Sequence, residues 1–135
     1  MRIETHLGLD RRLCGEPVEL GQGTATVAWT AGPETAADET GLVHGGFVFG
    51  VADHAAMLAV NAPTVVLGSA EVRFMKPVVV GERLLARAKV EETAGRKRIV
   101  AVEVGRDRRD HEDQEVVFAG RFTCLVPDRH VLRPL

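Results

Sequence analysis

Leu42-Val-His-Gly-Gly-Phe-Val-Phe-Gly-Val-Ala-Asp-His-Ala-Ala-Met-Leu-Ala-Val-Asn61 reads as one buried helix that opens on His44-Gly45-Gly46 and carries an acid, Asp53, in its middle. A carboxylate on an otherwise apolar helix is costly unless it is paired, hydrogen-bonded or neutralised. Gly45 and Gly46 leave room for a ligand to approach free backbone N–H groups at the positive end of the helix. Eight positions separate Gly45 from Asp53, roughly 12 Å along an ideal helix. One helix therefore holds its anion-binding end and its acid apart. A second copy lying antiparallel beside the first would bring the end of one to the acid of the other. The segment is also apolar nearly all round, from Phe47 and Val48 to Leu58 and Val60, and such a helix is usually buried on every side. The chain's own sheet covers only one side, so the expected assembly is a homodimer or a dimer of dimers with helices in contact across a two-fold axis.

Outward from the helix the period changes from about 3.6 to 2. Val65 to Lys76 alternates, with Ala70, Val72 and Phe74 on one face and Ser69, Glu71 and Arg73 on the other. Pro77 and Gly81 punctuate, Arg83 to Glu91 reads as the next strand, and Thr93 to Arg96 reads as a turn. Lys97 to Gly105 and Glu115 to Val126 read as two more strands, the last with Val116, Phe118, Phe122 and Cys124 facing inward. The mixed-sign stretch from Arg106 to Asp113 between them reads as a solvated hairpin. Before the helix, Val18 to Ala31 reads as one β segment closed by Gly32-Pro33. The predicted architecture is α+β: an antiparallel sheet of about five strands wrapped on one long central helix. Residues 1–135 form a single domain with its core over about 18–126.

Composition narrows the partners. A net charge of −2 and a pI near 6.2 give no general attraction to nucleic acid or to an anionic membrane. The apolar helix is shorter than the ~20 residues of a bilayer span and contains His44, Asp53 and His54. Met1 to His6 lacks the apolar run of a signal peptide. Cys14 and Cys124 are far apart and without metal-ligand spacing, as expected of two free thiols in a reducing compartment. These features point to a cytoplasmic protein. No metal, phosphate-loop or dinucleotide pattern is present, and Ser69 has no adjacent base to make it a nucleophile.

His44-Gly45-Gly46 with an acid nine positions after the histidine, Ala52-Asp53, Arg73-Phe74-Met75-Lys76-Pro77 and Gly81-Glu82 together resemble the hotdog-fold acyl-CoA thioesterases, particularly the phenylacetate-pathway (PaaI-like) branch. The resemblance spans about Val18 to Val126. It implies a dimer with two interfacial sites, side-by-side helices and sheets joined edge to edge. By that resemblance the Gly45 N–H polarises the thioester carbonyl, Asp53 of the other subunit acts as general base or nucleophile, and His44 mainly positions. Relatives often carry Asn six positions before the histidine, where this chain has Asp38. A second carboxylate there either alters the titration of Asp53 or points to solvent. Gly46, Phe49, Met57, Asp38, Ser69 and Arg73 complete the candidate substrate-binding set. Phe49 and Met57 sit one turn either side of Asp53 and either line an acyl pocket or pack an interface. No cofactor is implied beyond the coenzyme A carried by the substrate.

A second resemblance runs through Gly68 to Phe74, Gly81-Glu-Arg, Ala86 to Val90 and Val117 to Phe122. It is to the acyl-CoA-sensing hotdog domain of a bacterial repressor of lipid synthesis that responds to malonyl-CoA. That family implies binding without hydrolysis, beside a DNA-binding helix-turn-helix for which there is no room before Val18. The sensor carries Arg at the place of His44 and Asn at the place of Asp53, and both differences favour an enzyme here. A hotdog dehydratase or hydratase is a third alternative, but the His–Glu or Asp–His motifs of those branches are absent.

Overall fold

A two-residue turn at Gln22 and Gly23, with Gly23 at φ +72°, divides the first β segment into β1 (Glu16–Gly21) and β2 (Thr24–Thr30). The computed structural model describes residues 1–107 and 114–133. In it α1 (Arg11–Cys14), β1 and β2 are followed by a short 3-10 turn, α2 (Gly45–Val60), β3 (Val66–Phe74), β4 (Arg83–Ala94), β5 (Lys97–Arg106) and β6 (Val116–Leu125). The sheet therefore has six strands, in the order β1-β2-β4-β5-β6-β3, every pair antiparallel. The expected count of about five falls short because the sequence pattern runs β1 and β2 together. β4 continues past Glu91 through an irregularity between Val90 and Glu92 to a tight turn, where Gly95 adopts φ +60°. Of the charged stretch expected to form a hairpin, 108–113 lie outside the described residues.

Leu42 and Val43 are extended rather than helical. Val43 bridges Ala36 and Leu42 bridges Val79, which ties the entry of α2 to the β3–β4 loop. The helix begins three residues later than expected, with His44 at its cap position. It closes on Asn61, in the left-handed region at φ 50°.

α2 packs on one face of the sheet, chiefly against β2, β4 and β5. Val27, Leu84, Val100, Val102, Phe118 and Phe122 are fully buried there, each contributing about 1.5–3 kcal/mol relative to exposure. Ala52, Ala55, Ala56 and Ala59 are buried on the helix and let its backbone come close to the strands. The sheet covers one side of the helix as expected, and residues before β1, which the sequence did not place, cover part of another. α1 packs on α2, and His54, 4% exposed, donates from Nδ1 to the Cys14 carbonyl at 2.9 Å. Asn61 clamps the first residues, accepting from Glu4 N–H and donating to the Arg2 carbonyl, both at 2.8 Å. What stays open is a stripe along the first half of α2: Gly46, Phe49, Gly50 and Asp53, all less than buried. No helix among the described residues is long and apolar enough to cross a membrane.

Candidate active site

α2 begins without a cap. His44 takes the cap position at φ −64°, ψ 131°, but its side chain makes no capping bond. Its backbone N–H is held by the Thr35 carbonyl at 3.0 Å, while its exposed ring meets Phe47 edge-on at 6.2 Å. Among the described residues nothing accepts from the Gly45 or Gly46 N–H, and the first turn contains no acid. The positive end of the macrodipole and two free donors thus face outward together. The glycines have different reasons. A Cβ on Gly45 would stand 3.1 Å from Phe74 Cε1, so this glycine admits an aromatic ring over the helix end. A Cβ on Gly46 would meet only the His44 ring, and one on Gly50 would meet nothing within 4 Å. The open stripe can therefore admit another backbone or a ligand.

Asp53 lies two turns further along that stripe, half-buried, and its buried Oδ1 has no hydrogen-bond partner. Burial pushes its pKa above the usual carboxylate range, and the nearby His6 imidazole opposes the shift. Such an acid holds its proton more readily than a surface carboxylate, and its anion, once formed, is a stronger base. Both thiols are biased toward the protonated, less nucleophilic form. Burial, helped by the Asp53 charge, drives Cys124 up to about 12, and burial first, then Asp10 and Asp53, also raises Cys14. Both cysteines are free.

The other candidates separate into two groups. Phe49, on the open stripe, stacks on Phe122 at 5.4 Å and stands edge-on to Phe118 at 6.3 Å. Met57, one turn beyond Asp53, is fully buried and belongs to the core of its own chain rather than to an open pocket. Asp38 is exposed and turned into its own loop, accepting from Thr40 N–H at 2.9 Å and Thr40 Oγ1 at 2.6 Å. Those bonds hold its pKa below the usual value, and Asp38 is not among the groups acting on Asp53. Ser69 and Arg73 share the outer face of the sheet, because alternation along β3 sends Ala70 and Val72 toward α2 and the residues between them away. Glu71 pairs with Arg121 and Arg73 with Ala119 in the register there. In one chain they lie on the opposite side of the sheet from Asp53.

Sequence reasoning missed the surroundings of the acid and of the helix end. His6 sits at φ 50°, its Nε2–H donating to the Val65 carbonyl at 3.1 Å. Nothing in the sequence links it to Asp53. Beside Gly45 a cavity of about 290 Å³ opens between α2 and the β3–β4 loop, walled by Val43, Val48, Phe74, Pro77, Val78 and Val117. The strand pattern marks Phe74 only as an inward residue, yet it is 56% exposed and leans edge-on against Phe118 at 5.1 Å.

A six-stranded antiparallel sheet curled on one long helix, with free N–H groups at the helix start, defines the hotdog class. The sequence profile of the thioesterase superfamily matches residues 40–110, and the chain belongs to that superfamily. An uncharacterized protein from Pyrococcus horikoshii has the same fold at a TM-score of 0.90 and 52% identity, over 98% of this chain and 97% of that one. A mutant of phenylacetic acid degradation protein PaaI from Thermus thermophilus aligns at a TM-score of 0.74 and 28% identity, over 85% of this chain and 95% of its own. Two curated relatives are longer than the match. Methylthioribose-1-phosphate isomerase of Aquifex aeolicus is 45% identical over 122 residues, 90% of this chain but 25% of that protein. Transcription factor FapR of Shouchella clausii is 33% identical over 122 residues, 89% of this chain and 60% of the factor.

Proposed function

We propose that this chain hydrolyses acyl-CoA thioesters to a free acid and coenzyme A, at sites shared between two copies. The observation that carries the proposal is Asp53: an acid with a buried, unpartnered oxygen on the one open stripe of α2, two turns from an uncapped helix start. A purely structural carboxylate would have found a partner for that oxygen. Membership of the thioesterase superfamily and likeness to a PaaI protein support the same chemistry.

In this mechanism the thioester carbonyl oxygen lies at the Gly45 N–H of one protomer, with the positive helix end behind it. Asp53 of the other protomer takes a proton from water, and the resulting hydroxide adds to the carbonyl carbon. A fixed donor at the developing oxyanion contributes about 3–4 kcal/mol to the transition state, and the general base typically adds a factor of about 10²–10⁴. Collapse of the intermediate breaks the C–S bond and expels a stable thiolate, which needs little acid assistance. The antiparallel pairing follows from distance, since Gly45 and Asp53 of one helix stand roughly 12 Å apart. Gly50, with open space above it, and Gly46, faced only by the exposed His44 ring, let two helices approach. His44 positions the helix end through its backbone N–H, held by the Thr35 carbonyl, and coenzyme A enters only as part of the substrate.

The match to FapR over most of this chain favours a second reading, an acyl-CoA-binding domain without turnover. A panel of acyl-CoAs, followed by free-thiol detection and in parallel by calorimetry, separates the two. Thiol release at catalytic protein concentrations is expected. Tight binding with no thiol released would overturn hydrolysis in favour of the binder.

A further inference from the structure

We infer that the cavity beside Gly45 receives the acyl group of the thioester, that it selects uncharged chains of short to medium length, and that Phe74 is the side chain setting that limit. The inference rests on the thioesterase reading for the position of the carbonyl, and on the cavity itself for the nature of the acyl group.

The cavity opens within a single chain and touches the residue whose N–H would hold the carbonyl oxygen. A group attached to that carbonyl carbon therefore has an apolar space immediately beside it. Four of its walls are valines, Val43, Val48, Val78 and Val117; Pro77 and the Phe74 ring complete it. The one charged residue at the cavity is Lys76, which is exposed and can keep its ammonium in water. A terminal carboxylate pushed inside would lie among the valine and proline side chains, with the Gly45 N–H already engaged by the thioester carbonyl and the exposed Lys76 as the cation beside it. A volume of about 290 Å³ accommodates on the order of eight to ten carbon-sized groups, given a water-like share of about 30 Å³ each and the density of protein interiors. That is a butanoyl-to-octanoyl chain or a single aromatic ring, and much less than a palmitoyl chain.

The walls are fixed on both sides. The Val78 carbonyl holds Val43 N–H at 2.8 Å, and the Val117 carbonyl accepts from Met75 N–H at 2.8 Å and Lys76 N–H at 3.2 Å. Arg106, from β5, donates to the Pro77 carbonyl at 2.7 Å and grips both oxygens of Glu82 at 2.7 Å. Glu82 Oε1 in turn accepts from Val79 N–H at 2.7 Å. The loop that carries Pro77 and Val78 is thus tied to α2's entry, to β5 and to β6, so the cavity does not stretch freely to take a longer chain. The movable wall is Phe74. Its ring lies over Gly45, braced on one side by Phe118 and open to solvent over more than half its surface. Removing the ring lengthens the cavity along the helix end and costs the buried Phe118 one edge-on contact, and a larger ring shortens the cavity.

The test uses the full chain, with kcat/KM measured across saturated acyl-CoAs from two to sixteen carbons, phenylacetyl-CoA and malonyl-CoA. Binding of the matching S-alkyl-CoA thioethers, which cannot be hydrolysed, is measured by calorimetry. The expected optimum lies between four and eight carbons or at phenylacetyl, with kcat/KM down about tenfold or more at twelve carbons and for malonyl-CoA. Phe74→Ala should raise the twelve-to-six-carbon ratio by about tenfold, and Phe74→Trp should lower it, in hydrolysis and in thioether binding alike. A flat length preference, a preference for malonyl-CoA, or variants that change every acyl-CoA by the same factor would overturn the inference and leave hydrolysis standing. Thioether binding that follows the expected length order without thioester hydrolysis would sink the catalytic reading while keeping the acyl pocket. Neither binding nor hydrolysis would overturn both.

Discussion

Replacing Asp53 by Asn should make the protein more stable and nearly inactive at once. Oδ1 of Asp53 is buried without a partner, and an unsatisfied buried polar atom typically costs about 1–3 kcal/mol, more when it is charged. Asn keeps the size and polarity but removes the charge, so it relieves only the ionic share, on the order of 1 kcal/mol. In a domain of this length that corresponds to a rise in Tm of roughly 3–5 °C. The pH dependence follows from the direction of the shift. Burial raises the folded-state pKa of Asp53, so its protonated form favours the fold below the ordinary aspartate range, and this contribution is lost as pH rises through the raised value. The advantage of Asn is therefore full at neutral pH and fades toward about pH 4. Urea denaturation of both proteins at pH 7.5 and near pH 4, at one fixed protein concentration, reads both effects. Turnover of the preferred acyl-CoA should fall at least about a hundredfold in the variant. A variant less stable than the parent at neutral pH, or a stability gap that does not change with pH, would refute the strained-acid argument.

Two further outcomes concern the segment before β1. His54→Ala removes the bond to the Cys14 carbonyl and opens a void at a site 4% exposed, and should cost about 2–3 kcal/mol in a denaturant titration. Burial holds the His54 pKa down, so its neutral form supports the fold above about pH 6.5 and that support declines on acidification. A His54→Gln variant should show a shallower stability loss between about pH 6.5 and pH 5. Asn61→Ala loses both clamps on Arg2 and Glu4. It should cost about 1–2 kcal/mol and speed amide exchange in residues 1–6 well before the core.

The sequence made some features plain and hid others for physical reasons. The long helix and β3 through β6 were legible because their side chains repeat with the periods of helix and strand. The split between β1 and β2 was hidden because Gln22-Gly23 lacks the strong signal of an Asn-Gly or Asp-Gly turn. Residues 1–14 were unreadable because their anchors are mainly backbone carbonyls, those of Arg2 and Cys14 among them, which look alike in every residue type. In the candidate site Asp53 stood out as an acid in an apolar helix. The ring of Phe74 over Gly45 did not, because 29 positions of chain separate the two and only the β3–β6 pairing and the curl of the sheet bring them together. Arg73 and Ser69 have the right chemistry for a ligand, but strand alternation puts them on the face of the sheet away from Asp53 of the same chain, and Met57 has the right helical spacing but is fully buried at the closed end of the stripe.

The central claim is that one substrate meets the helix start of one protomer and Asp53 of the other, and mixing two inactive variants tests it most directly. Gly45→Pro removes the N–H donor and leaves Asp53; Asp53→Asn does the reverse. Proline suits a first helical position, and the Phe74 ring above it has solvent to turn into. After co-refolding, random pairing puts half the dimers in the mixed form, and each mixed dimer has one site with both defects and one with neither. About a quarter of the parent activity should return, provided the two sites act independently. No recovery, in mixtures shown by mass spectrometry to contain the mixed dimer, would contradict the shared site.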